Sequence, residues 1–445
     1  MTTVQHAMAP ARSPASAYPA TWRARWALTL VLTCAVLTGP IGYMGQNAYA
    51  ALVAACGVLS LPMLAAPRRL PRGIGLGIAI LLALALWAVV SMAWSPYAAL
   101  HADLRRYKDV EGLTALKLVL QAVLYGAFAL FARETPRRWA DRILLALTLG
   151  LGLILVVMIV DAFTGWAAYG ALRQSVHAPN KDQFLQRNAG RGCFTIAVLF
   201  WPAAVWLKRR GWGLLTPLLA IGLVVASIGL HVDSPVVALA LGGLVLVAVQ
   251  RFGRPAIWAL LGATLLYFAL TPAFFALAGP HLPHFRSDHG VAKASWGVRL
   301  DLWRFSAARI LERPWQGWGI DASRVWREME LHPHNAVLQL WLELGFVGAA
   351  LGALFWLHVW SRIGAVAEQD PANAGVFAAV AMAYLSIGGM SFGVWQEWWL
   401  ALGVIAVVVC DVLAKAGPSL NLRADRRNEP HAADAAPAGT FKGSR

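Results

Sequence analysis

Apolar stretches of about 18 to 24 residues recur along most of the chain, each long enough to cross a bilayer as an α-helix. The pattern predicts spans at 24–42, 46–65, 72–94, 113–131, 140–163, 189–207, 211–230, 233–250, 255–278, 335–358, 374–393 and 396–414. The fold class is all-α: a polytopic integral membrane protein of about twelve transmembrane helices. Polar stretches divide it further. Residues 1–22 are an Ala/Pro/Ser-rich tail without the layout of a cleavable signal peptide, and 415–445 form a second polar tail. Both read as disordered. Between them lie helices 1–9 in 23–278, a long loop at 279–334 and helices 10–12 in 335–414.

Composition agrees with the pattern. The 445 residues are 59% hydrophobic and only 13% charged, far from a soluble domain. The net charge of +16 changes the picture through its placement. Short connections carry Arg68-Arg69-Arg72, Arg133 with Arg137-Arg138, Lys208-Arg209-Arg210, and Arg251 with Arg254. With twelve spans these fall on one side, together with both termini, and that side is expected to be cytoplasmic. The charge is thus a topology signal with contacts to anionic membrane lipids, not a nucleic-acid footprint. Cys34, Cys56, Cys193 and Cys410 sit in apolar or membrane-edge segments without metal-ligand or pairing spacing, and read as packing residues.

Three connections on the opposite side carry positive charge against the orientation bias. The first, 95–112, holds His101, Arg105, Arg106 and Lys108, with Asp103, Asp109 and Glu111 available to pair with them. The second, 164–190, leads into Gln186-Arg187-Asn188-Ala189-Gly190-Arg191-Gly192, and the third is 279–334. Within the third, Leu300, Trp303, Ala307, Ile310 and Leu311 recur at helical spacing, with Asp301, Arg304 and Arg309 between them. A short amphipathic helix at the bilayer surface is expected, with Trp303 at headgroup level. Pro314 stops it, and Trp315-Gln316-Gly317-Trp318-Gly319 supplies a turn.

His334-Asn335, followed after nine residues by Gly345 and after two more by Gly348, resembles the signature of bacterial O-antigen ligases and the related O-antigen polymerases. Upstream, Ser295-Trp296-Gly297-Val298-Arg299 with Trp303, Pro314 and Gly317-Trp318-Gly319 is similar to the family's periplasmic stretch. Asn188-Ala189-Gly190-Arg191-Gly192 before Trp201-Pro202 resembles a family element with an Arg at the mouth of a membrane helix. One departure stands out: where many members carry a Ser-Arg pair, this chain has His231-Val232-Asp233-Ser234-Pro235.

The resemblance implies a periplasmic active site in the bacterial inner membrane. Its donor would be a glycan on undecaprenyl pyrophosphate and its acceptor lipid A–core. Chemistry then suggests roles. Arginine is permanently charged and bidentate toward phosphate, so Arg299 and Arg191 are candidates to hold the leaving pyrophosphate. A sugar hydroxyl needs a base, and a neutral His334 can serve. Attack opposite the leaving group would invert the anomeric carbon. Neither metal nor other cofactor is expected. Arg187, Asn335, Trp296, Trp303, His332 and Glu343 are candidate substrate contacts, with His332 also an alternative base. Gly345 and Gly348 are expected to let helices approach closely. Two alternatives stay open: a polysaccharide polymerase or a ligase to another acceptor, sharing the loop chemistry, and a transporter of lipid-linked glycans. The transporter is disfavoured because polar residues gather in outer loops instead of near the bilayer centre.

Overall fold

A computed structural model describes residues 21–64, 72–97, 113–176, 182–281, 291–329 and 331–417. Residues 1–20 and 418–445 of the polar tails, Arg68-Arg69 and the His101–Glu111 charges lie outside the described residues. The described chain is all-helical. Its helices are α1 (Trp22–Met44), α2 (Ala48–Leu64), α3 (Arg72–Ser91), α4 (Thr114–Ala132), α5 (Ala140–Thr164), α6 (Ala167–Ser175), α7 (Asp182–Ala189) and α8 (Gly192–Arg209). They continue as α9 (Leu215–Gly229), α10 (Ser234–Phe252), α11 (Arg254–Leu277), α12 (Val291–Glu312), α13 (Ala336–Ala367), α14 (Pro371–Met390) and α15 (Glu397–Ala416). A helix stands at each of the twelve expected spans. Eight of them are long and apolar enough to cross a membrane, and three shorter apolar helices accompany them.

Side-chain contacts define two opposite ends of the bundle. At one, Arg23 pairs with Glu134, Arg210 with Asp141 and Arg254 with Glu368, while Lys415 Nζ donates to the Arg133 carbonyl (2.9 Å). The short basic connections therefore converge. At the other end, Trp303 of α12 donates to the Pro333 carbonyl (2.8 Å), and Ser391 Oγ donates to Ser234 Oγ (2.6 Å). Every non-glycine residue with left-handed φ among those described (Trp166, His231, Asp321 and His334) belongs to connections at this second end. Such strain tends to collect at functional sites.

Helix α12 differs from its expected face. Leu302, Trp303, Ser306, Ala307 and Ile310 are buried, while Leu311 is 61% exposed. Tertiary packing rotated the stripe: the helix lies on Met329, Leu338 and Leu342, so Leu302 turns inward and Leu311 outward. Trp303 is buried with its ring against Phe275, so it fastens the loop to the bundle instead of lying at the surface.

The expected continuous span at 335–358 is broken. Gly345 has φ 63° and ψ −159°, interrupting α13 nine residues after its start. The backbone groups this frees are satisfied by the Pro314–Gly319 segment. Trp318 N donates to Leu342 O (2.9 Å), Gly319 N to Glu343 O (2.8 Å), and Phe346 N to Pro314 O (2.8 Å). The Trp87 indole covers Leu344 O (3.0 Å). Irregular backbone at this depth is tolerable only when protein supplies such partners. A Cβ on Gly345 would lie 2.3 Å from Trp315 O, and one on Gly317 2.5 Å from Gly345 N. Gly345 and Gly317 do permit close approach, but between a loop segment and a helix break, while a Cβ on Gly348 would first meet Leu344 of its own helix.

Candidate functional site

The Pro333–Asn335 turn is built from both sides. Asn335 caps α13, its Oδ1 accepting from Val337 N and Leu338 N (3.0 Å each), with Tyr267 Oη donating to the same oxygen at 3.4 Å. Such a cap stabilises a helix by about 1 kcal/mol. The residue expected to orient a sugar is thus 2% exposed and anchored at its carbonyl oxygen. His334, just before it, adopts φ 54°, and its N–H donates to His332 Nδ1 (3.1 Å).

The His334 ring is half-buried, with Nδ1 2.8 Å from the Ser391 carbonyl. A carbonyl only accepts, so Nδ1 carries the proton, and neutral His334 keeps its basic lone pair on Nε2. His332 is different in kind. Its Nδ1 is occupied, its Nε2 lies 2.9 Å from the Gln396 amide, and its ring centroid sits 4.3 Å from that of His334. Burial, with His334 and Arg324 nearby, pushes its pKa down to about 3. His332 therefore stays neutral near pH 7 and props its neighbour.

Arg299 lies on α12 with its guanidinium 5.0 Å from the Trp296 ring centroid, and Trp296 Nε1 donates to Asp233 Oδ2 (3.1 Å). Burial lowers the Arg299 pKa, and Asp233 opposes that shift. Arg299 has no acidic partner within 4 Å among the described residues. Asp233 and the next residue, Ser234, start α10 in the place of the missing Ser-Arg pair. Arg191 ends the turn between α7 and α8. The neighbouring Gly190 packs against Leu230 and Val232, so this turn abuts the start of α10. Arg187 falls in α7, and its side chain lies outside the described part of the structure.

Residues 218–353 match the O-antigen ligase family. Along this stretch the chain is similar to O-antigen ligases. A protein named as a polysaccharide ligase in Rickettsia conorii is 28% identical over 306 residues, covering 64% of this chain and 71% of its own. Proteins of the same description in Rickettsia felis and Rickettsia bellii are 25% and 29% identical over 297 and 275 residues. They cover 62% and 57% of this chain, and 69% and 64% of their own. The similarity implies glycosyl transfer, with a lipid-linked polysaccharide and an acceptor as substrates. The matched stretch includes Asp233, Ser234, Arg299, His332, His334 and Glu343, while Arg191 and Ser391 lie beyond it.

Glu343 is completely buried, and its carboxylate accepts four hydrogen bonds. They come from Asp321 N (3.0 Å), Ser323 Oγ (2.6 Å), Gln339 Nε2 (3.1 Å) and Trp395 Nε1 (2.6 Å). Both oxygens are committed to the protein, so Glu343 ties the Asp321–Ser323 turn and the α14–α15 connection to α13. Its neighbour in that task, Gln339, accepts from Val394 N (2.9 Å). Sequence reasoning missed Ser391, Gln396 and Trp395. Their only signal was a polar break, Ser391-Phe392-Gly393 to Gln396-Glu397, between two apolar runs.

Proposed function

We propose that this protein is an O-antigen ligase of the bacterial inner membrane. It transfers glycan from undecaprenyl pyrophosphate to lipid A–core at the periplasmic face. The observation that carries this is the held His334 imidazole, its Nδ1–H on Ser391 O and its lone pair on Nε2, on the same end of the bundle as Arg299. The acceptor hydroxyl oxygen attacks the anomeric carbon as its proton passes to His334 Nε2. The anomeric C–O bond breaks with its electron pair leaving on undecaprenyl pyrophosphate, and the configuration inverts. Arg299, with no acid within ion-pair distance among the described residues, and Arg191 hold the pyrophosphate, so the reaction needs no metal ion. Arg187 and Trp296 make further donor contacts. Asn335, His332, Trp303 and Glu343 act through the turn they hold and not through the sugars. The end carrying Arg133, Arg210 and Lys415 faces the cytoplasm with both termini, in accord with the positive-inside rule.

The test uses purified protein in lipid, given undecaprenyl-pyrophosphate glycan with lipid A–core or without it. Wild type should glycosylate lipid A–core and release undecaprenyl pyrophosphate, and His334→Ala should lose about 10²–10⁴-fold in rate. Chain extension without the acceptor would make the protein a polymerase. Full activity in His334→Ala would overturn the mechanism, and donor binding without transfer would favour a transporter.

A further inference from the structure

Two half-sites meet at one helix start. Ser234, 2% exposed, and Asp233 are consecutive at the N-terminus of α10. Asp233 accepts from Trp296, whose ring carries Arg299. Ser234 accepts from Ser391 Oγ (2.6 Å), whose own carbonyl accepts from His334 Nδ1 (2.8 Å). Ser391 closes α14, its N–H bonded to Ile387 O (2.9 Å) with φ −134° and ψ −35°. Beyond it Gly393 allows the chain to lie against His332 and Gln339, since a Cβ there would approach both to about 3 Å. The Ser391 peptide is therefore at the frayed end of a helix, where no regular ladder fixes the direction of its carbonyl. Its side chain does so, through Ser234.

We propose that Ser234 and Ser391 are positioning residues for His334. Their hydroxyl pair holds the Ser391 carbonyl on Nδ1, selecting the tautomer with basic Nε2 and raising the basicity of the ring. A carbonyl acceptor strengthens as the imidazole becomes cationic, which favours proton uptake during attack. The same helix start holds Trp296 under Arg299, so the base and the anion grip share one support. The proposal rests on His334 being the base.

The experiment compares wild type, Ser234→Ala, Ser391→Ala, the double variant and His334→Ala as full-length protein in lipid. It measures kcat, KM for the donor and the pH dependence of kcat. Ser391→Ala keeps the backbone carbonyl and removes only the hydroxyl. Each single variant should lose about tenfold or more in kcat, less than His334→Ala, with donor KM unchanged and the acid limb of the profile moved to lower pH. The double variant should be no worse than either single, because both remove the same bond. Ser386→Ala, whose Oγ bonds only Ala383 O of its own helix (3.1 Å), is the control expected to match wild type. Additive losses, or single variants with wild-type kcat and pH profile beside an inactive His334→Ala, would overturn the positioning role. An active His334→Ala would instead remove the base assignment on which it rests. Should Ser391→Ala fail to fold, Ser234→Ala and its pH profile carry the test.

Discussion

His332 and His334 sit two residues apart with adjacent rings, yet their surroundings differ. His334 has its Nδ1 on the Ser391 carbonyl, whereas His332 is held at both ring nitrogens. The clamp has a pH signature. In a detached chain His332 takes a proton near its ordinary value of 6.5, while in place it resists protonation down to about 3. Protons then favour the detached form, so stability is complete above pH 6.5 and falls as pH drops toward 3. The slope is at most about 1.4 kcal/mol per pH unit. Thermal unfolding of the protein in lipid should show a lower midpoint at pH 5 than at pH 7.5, and His332→Gln should flatten that difference. An unchanged slope in the variant would show that His332 is not the group responsible. The sequence exposed His334 through its motif and made His332 a candidate, but the order of their roles depended on burial and on Ser391, 57 residues away. Asp233-Ser234 was visible only as a missing arginine, because nothing local shows that an aspartate will face Trp296 and Arg299 from another helix.

At the level of elements, hydropathy located the helices and failed at their irregularities. Periodicity found α12 but turned its stripe, counting Leu311 and omitting Leu302, because the side that packs is chosen by Met329, Leu338 and Leu342. The break in α13 was hidden for a related reason: Gly345 and Gly348 in an apolar run also fit a helix–helix contact. The break makes a sharp prediction. Gly345→Ala puts a Cβ 2.3 Å from Trp315 O at a backbone angle of φ 63°, so folded yield in membranes should collapse. Gly152→Ala, where a Cβ meets nothing within 4 Å, should fold like wild type with similar activity. Equal yields of the two would show that α13 runs on as a continuous helix.

Across the whole molecule, the short basic connections and the candidate site lie at opposite ends. The ion pairs of Arg23, Arg210 and Arg254 close one end, while the strained turns and His334 occupy the other. Composition and the placement of Lys and Arg exposed this polarity, since each rests on counts and loop lengths and not on packing. If the basic end faces the cytoplasm, a cysteine at exposed His231 should react with a membrane-impermeant maleimide added to intact spheroplasts. One at Trp212, 48% exposed between α8 and α9, should react only after the membrane is opened. The reverse pattern would invert the topology and move the transfer reaction to the other leaflet.

The docking of Pro314–Gly319 onto the interruption at Gly345 redraws the unit that evolution or an engineer can exchange. A loop lifted from a relative at 279–334 would arrive with backbone donors cut for another helix, and its host would keep carbonyls with no one to answer them. The transplantable module runs from the start of α12 through Phe346, well inside the next helix. Acceptor preference carried by this loop should therefore travel between relatives only when the first turns of α13 travel with it.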